Sequence, residues 1–188
     1  MLSPAALEEL VALARGAIHG SFDRGAPLPG SSNTALHGPG ASFVTLKQRG
    51  QLRGCIGSLV AHRPLHEDVA TNAVSAAFRD PRFPPLVPRE LALTMLEVSV
   101  LSAPEPLPFA SEDAFYAALR VGVDGLILAH RGRRASYLPS VWEQLPDARS
   151  FVAELRRKAG IEPSVPLLDI EVQRYTSVHS PLRPLAIA

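Results

Sequence analysis

The chain has 188 residues, 46% of them hydrophobic and 20% charged, a length and balance that fit one domain, or two small lobes, able to bury a core without staples. Nineteen basic residues against eighteen acidic ones leave a net charge of +1, so no global field exists to hold a polyanion and nucleic acid is not an expected partner. No stretch approaches the ~20 uninterrupted apolar residues of a bilayer span, no secretory pattern opens the chain, and one cysteine excludes both an internal disulfide and a cysteine-based zinc site; a soluble, cytoplasmic protein is expected.

Ser3 as N-cap and Pro4 at the first helical position predict a helix to about Gly20, with Leu7, Leu10, Val11, Ala14 and Ile18 facing a core. The Gly-, Pro- and Ser-rich stretch from Asp23 to Gly40 reads as an exposed loop. Ser42 to Gln48 and Leu52 to Ser58 are expected to pair as a hairpin around Arg49-Gly50. Pro64 starts a helix to about Phe78 with the stripe Leu65, Val69, Ala73 and Ala77, and the prolines of Asp80-Pro81-Arg82-Phe83-Pro84-Pro85 force a stiff loop after it.

Leu93 to Leu101 alternates as a strand, after which Pro104, Pro106 and Pro108 form a linker, placing a lobe boundary near residues 102–110. A helix capped by Ser111, a hairpin of Leu126 to His130 with Arg133 to Leu138, a helix from Asp147 to Ala159 stopped by Gly160, and a strand from Leu168 to Thr176 complete the chain. Hairpins where parallel strands would need helical crossovers give an α+β class: antiparallel sheets with flanking helices, in two lobes sharing a core. Trp142 is expected at the lobe boundary.

The hairpin register decides which residues share a face. A two-residue Arg49-Gly50 loop would put Arg53 beside Val44 and Leu46. A three-residue Gln48-Arg49-Gly50 loop groups Val44, Leu46, Leu52 and Ile56 on one side, and this is the expected arrangement. It leaves Phe43, Thr45, Arg53 and Cys55 together on the other, where a neighbouring guanidinium would favour the thiolate and make Cys55 a candidate nucleophile. Gly54 and Gly57 imply a bulge or a close approach by backbone or ligand. His62 and His66, with Glu67 and Asp68 beside them, have metal-like spacing, but Pro64 puts His62 outside the helix; exposed histidines and no metal site are expected.

Leu52-Arg53-Gly54-Cys55-Ile56-Gly57, preceded by Phe43-Val44-Thr45-Leu46, resembles the signature of the AMMECR-type domain family, whose bacterial and archaeal members are called AmmeMemoRadiSam system protein A. The resemblance continues through Asp80 to Pro85, Leu96 to Leu101, Val121 to Leu126, Tyr137-Leu138-Pro139 and Tyr175. It implies a two-lobed α+β fold and a pathway shared with Memo-like and radical-SAM proteins; it names neither a cofactor nor a reaction. Carried over residue by residue, it makes Arg53, Asp80, Arg82 and Tyr137 substrate-binding candidates beside Cys55.

An Asp80 carboxylate is expected to satisfy a buried Arg53, Phe83 to anchor a core, and Tyr137 either to present its hydroxyl or to pack its ring. Three readings follow. The first is an enzyme or enzyme component acting on a small molecule or protein side chain through a cleft at the Arg53/Cys55 strand. The second is a non-catalytic binding module or adaptor in the same pathway. The third is structural, with Arg53 on Asp80 and Cys55 in the core.

Overall fold

The computed structural model describes residues 2–23 and 26–186; Arg24 and Gly25, part of the expected loop, lie outside the described residues, as does Met1. The chain divides into two units, Met1–Ala103 with Val178–Ala188 and Pro104–Ser177. Its class is α+β with antiparallel sheets. Where one shared core was expected, the buried apolar side chains form two clusters, one within each unit.

In the first unit, α1 (Pro4–Gly20) begins where Ser3 Oγ accepts the Ala6 N–H at 3.2 Å. It buries Leu10, Val11, Ala14 and Ile18 against α2 (Leu65–Phe78), which offers Val69, Ala70, Ala73, Ala76 and Ala77. The alanines on α2 leave little side chain between the helix backbone and its neighbours. Both helices pack on strands β1 (Pro39–Gln48), β2 (Gln51–Gly57) and β4 (Thr94–Leu101) through Val44, Leu46, Leu96 and Val98. The sheet runs β10-β4-β1-β2, with β10 at Arg183–Pro184; β3 (Arg63–Pro64) pairs with β1, and β9 (Ser177–His179) with β4. The loop expected to be an exposed excursion is pinned, because Glu9 accepts Ser31 Oγ at 2.5 Å and Asn33 Nδ2 at 3.0 Å, and Leu36 is fully buried.

The second unit has the sheet β5-β8-β6-β7, with β5 at Glu105–Pro106, β6 at Gly125–His130, β7 at Arg133–Tyr137 and β8 at Glu171–Tyr175. Helix α3 (Glu112–Ala118) and helix α4 (Ala148–Ala159) supply Phe115, Phe151, Val152 and Leu155 to its core. Gly160 stops α4 with a left-handed φ of 70°. Trp142, expected at the lobe boundary, instead stacks on Phe151 inside this core with ring centroids 3.8 Å apart, its Nε1–H donating to the Asp124 carbonyl at 2.7 Å. Among the described residues no helix is long and apolar enough to cross a membrane.

Candidate functional site

The hairpin of β1 and β2 is built differently from expectation, and the difference relocates Arg53. Gln48 pairs with Gln51, so the loop has two residues, Arg49 and Gly50, with φ of 52° and 80°, both left-handed as a tight hairpin turn demands. The register then shifts: Lys47 faces Leu52, but Leu46 faces Gly54, so Arg53 is the extra residue of a β-bulge. Beyond it Val44 pairs with Ile56 and Thr45 with Cys55.

Arg53 consequently does not share a face with Cys55. Its Nε and Nη2 donate to the two oxygens of Glu90 at 3.0 and 3.1 Å, and Gln48 Nε2 donates to the same carboxylate at 3.1 Å. Gln48 lies three residues from Thr45 on β1, hence on the opposite face, and Arg53 sits with it. Leu52 is displaced the other way. It was expected in the core beside Val44, and is instead paired with Lys47 and 43% exposed.

Glu90 also accepts the Val87 N–H at 3.0 Å. With Arg53 buried and these donors converging, chiefly the guanidinium, the Glu90 carboxyl is held down at about 2. Asp80, the expected partner of Arg53, is engaged elsewhere. Its carboxylate accepts Arg82 Nε at 2.9 Å and Nη2 at 2.7 Å, and the Cys55 backbone N–H at 2.9 Å. Arg82 Nη2 in turn donates to the Cys55 carbonyl at 3.1 Å. The Arg82 guanidinium, followed by the Cys55 and Arg82 backbone donors, keeps the Asp80 carboxyl well below the usual carboxylate range despite its burial.

This pair answers a problem of sheet construction. β2 is an edge strand, and an edge residue whose N–H and C=O point outward invites another chain. Asp80 supplies the acceptor and Arg82 the donor that a neighbouring strand would have offered, closing the edge at Cys55 and fixing its backbone on both sides. Phe83, expected as a core anchor, is half-buried, with the Arg82 guanidinium 5.5 Å from its ring centroid.

The Cys55 side chain lies on the sheet face away from α1 and α2, together with Phe43, Thr45, Lys47 and Glu97, which alternate with the core-facing residues of β1 and β4. Thr45 Oγ1 donates to Cys55 Sγ at 3.3 Å. Thr45 is itself paired with Glu97 on β4, so Cys55, Thr45 and Glu97 form one row across three strands. At its end His179 Nδ1 lies 3.7 Å from Glu97 Oε1 and 2.9 Å from Ser99 Oγ. Thiol, hydroxyl, carboxylate and imidazole thus follow one another along one face.

The AMMECR1 family model matches residues 11–180. The chain belongs to the AMMECR1 family. It is 45% identical to a protein of Methanothermobacter thermautotrophicus over 122 residues, 64% of either chain, and thus spans less than two thirds of that relative. It is 37% identical over 163 residues to a protein of Sulfolobus acidocaldarius, covering 83% of this chain and 72% of that one. The crystal structure of the uncharacterized protein PH0010 from Pyrococcus horikoshii superposes with a TM-score of 0.80 at 31% identity, covering 94% of this chain and 95% of the other.

Of the AMMECR1 residues singled out from sequence, the fold brings Cys55, Asp80 and Arg82 into contact and turns Arg53 away. Tyr137 belongs to the second unit, where its ring meets Phe151 edge to face at 5.3 Å, Lys158 Nζ lies 4.9 Å from the ring, and its carbonyl accepts the Tyr175 hydroxyl at 3.0 Å. Burial pushes that Tyr175 hydroxyl up to about 12. His66, expected to be exposed, has a side chain only 13% accessible, its ring 4.8 Å from that of His37 and its Nδ1 3.0 Å from the Leu36 carbonyl. Sequence reasoning placed Thr45 on the face of Cys55 but missed Glu90, Glu97 and His179 as site residues. The alternation of β4 contained the signal for Glu97, a charge between Leu96 and Val98, but nothing local pointed to the other two.

Proposed function

We propose that the chain is an enzyme, or the thiol-bearing component of one, that acts on a small molecule or a protein side chain at the face of its first sheet that points away from α1 and α2. Cys55 is the nucleophile. Thr45 holds the sulfur by its hydroxyl, and Glu97 with His179 handles protons further along the row. Adjacent strands are ~4.8 Å apart, so Cys55 and Glu97 stand about 10 Å apart at the backbone. The acid–base pair therefore serves a substrate that spans the row, not the thiol directly. We propose further a cytoplasmic protein working with Memo-like and radical-SAM partners, a reading that the family resemblance supports.

One observation carries this reading: packing accounts for most of the signature strand but not for Cys55. Arg53 is taken by Glu90, Ile56 packs on the first core, Gly54 admits the α2 backbone, and Gly57 makes room for the Phe43 ring. Leu52 and Cys55 remain, one exposed and one half-buried. A side chain that packing does not require, on a backbone clamped from both sides, is free to serve chemistry.

The test is alkylation of the native protein by iodoacetamide, read by mass spectrometry. Cys55, the one cysteine of the chain and half-buried, is expected to label in the folded state, faster than the chain unfolds globally. Labelling only at the rate of global unfolding would reject the nucleophile. A second reading, a binding module or adaptor in the same pathway, is favoured by exposed Leu52 on that face. Partner capture that survives Cys55→Ser and fails in Leu52→Asp would select it.

A further inference from the structure

At the turn end of the β1–β2 hairpin lies a cavity of about 430 Å³ lined by Gln48, Arg49, Gln51, Leu52, Arg53 and Leu93. Two of these six are arginines and none is acidic. Arg53 is 92% buried, being 8% exposed; Glu90 takes its Nε and Nη2, while Nη1 is buried with no hydrogen-bond partner among the described residues. Guanidinium N–H groups withheld from water and left unpaired are costly, so this arm of Arg53, just behind the cavity lining, lacks an acceptor. Arg49, exposed at the turn, adds a second cation at the cavity rim. Leu52 and Leu93, 43% and 56% exposed, supply apolar surface to the lining.

We infer that this cavity binds a small organic oxyanion, a carboxylate or phosphate ester joined to a compact apolar group. The oxyanion supplies the acceptor that Arg53 Nη1 lacks and is screened from water by Arg49. The apolar part covers Leu52 and Leu93. The volume is several times what a bare phosphate needs and lies within the range of small-molecule sites. Because Nη1 itself has almost no open surface, seating the anion requires a side chain of the lining to turn, a motion open to the exposed Arg49, Leu52 and Leu93 on the picosecond to nanosecond scale. The site stands independently of the Cys55 chemistry. It explains why a signature strand should carry an arginine whose pairing with Glu90 leaves one arm of the fork unused.

The experiment is a proton–nitrogen NMR titration of the full chain with phenyl phosphate and, separately, benzoate, with benzamide as the neutral counterpart. The expected result is a saturable shift of the Arg53 Nε–H and of the Arg49 and Leu52 amides with at least one anion and not with benzamide. Arg49→Gln, at an exposed turn position, should weaken that binding about tenfold. The stronger response of the two assigns phosphate or carboxylate as the natural head group. No saturable shift with either anion up to about 10 mM, an equal response to benzamide, or unchanged affinity in Arg49→Gln would each overturn the inference.

Discussion

Replacing Glu90 with alanine is expected to lower the stability of the first unit by about 3 to 5 kcal/mol, measured by urea denaturation. The Arg53 and Glu90 side chains are 10% and 22% exposed, so the substitution leaves a desolvated guanidinium with no carboxylate. It also removes the acceptor of the Val87 N–H and one of the two oxygens that hold Gln48. An exposed ion pair of equal length would be worth under about 1 kcal/mol. Burial makes the difference, since the cost lies in the stranded charge more than in the lost attraction. The double change Arg53→Met with Glu90→Leu should therefore recover most of the loss. A Glu90→Ala cost below about 1 kcal/mol would show that the bulge is held by something else.

The same pair dictates a response to acid. Glu90 has an ordinary value of 4.5 and is held at about 2 in the fold. A carboxyl depressed by folding contributes stability that is complete above its unfolded value and disappears as pH falls through its folded one, so the loss runs from about pH 4.5 down to about 2. Its size, from that difference, is roughly 3 kcal/mol, in line with the alanine expectation. Asp80 is depressed from 3.8 in the same direction, and its contribution starts to fall only below that value. Glu90→Ala should accordingly remove the fall between pH 4.5 and 3.8 and make the profile shallower below that, where the Asp80 contribution is still lost.

How far these elements could be read from sequence depended on whether their cause was local. Helices α1 and α4 carry their own start and stop signals in Ser3-Pro4, Asp147 and Gly160, and the structure places the caps there. The hairpin around Arg49-Gly50 was equally local, but its register was not. A two-residue turn followed by a bulge satisfies the same turn chemistry as a three-residue loop, and the choice falls to Glu90, 37 residues away, which draws Arg53 to its own side of the sheet. Asp80 was assigned to the wrong arginine for the same reason. Arg82 is only two positions on, and an aspartate before Pro-Arg closes that short ring more readily than it reaches across the sheet to a bulge. Glu97 and His179 came into one row with Cys55, across Thr45, through strand order alone. Tyr137 shows the converse: a position of the same family motif set, yet packed against the core of the other unit.

Gly54→Ala is expected to cost about 3 kcal/mol, with the effect on Cys55 as its second readout. A Cβ built on Gly54 lies far inside contact distance of the Ala76 carbonyl oxygen, which is backbone of α2 and cannot swing aside as a side chain can. Either the helix lifts from β2 or β2 moves outward, and both loosen the first core. Gly38→Ala is the control. Nothing lies within 4 Å of the added carbon there, so the change should fall within about 0.5 kcal/mol of the parent or stabilise slightly through the unfolded chain. Outward movement of β2 also lengthens the reach from Asp80 and Arg82 to the Cys55 backbone, now 2.9 and 3.1 Å, and opens the edge that they close. Iodoacetamide labelling of Cys55 should then become faster in Gly54→Ala under conditions where the protein is still folded. A Gly54→Ala protein as stable as the Gly38→Ala control would mean that the sheet and α2 have slack between them. The glycine would then be present for a ligand's approach and not the helix's, and packing would no longer account for it in the signature strand.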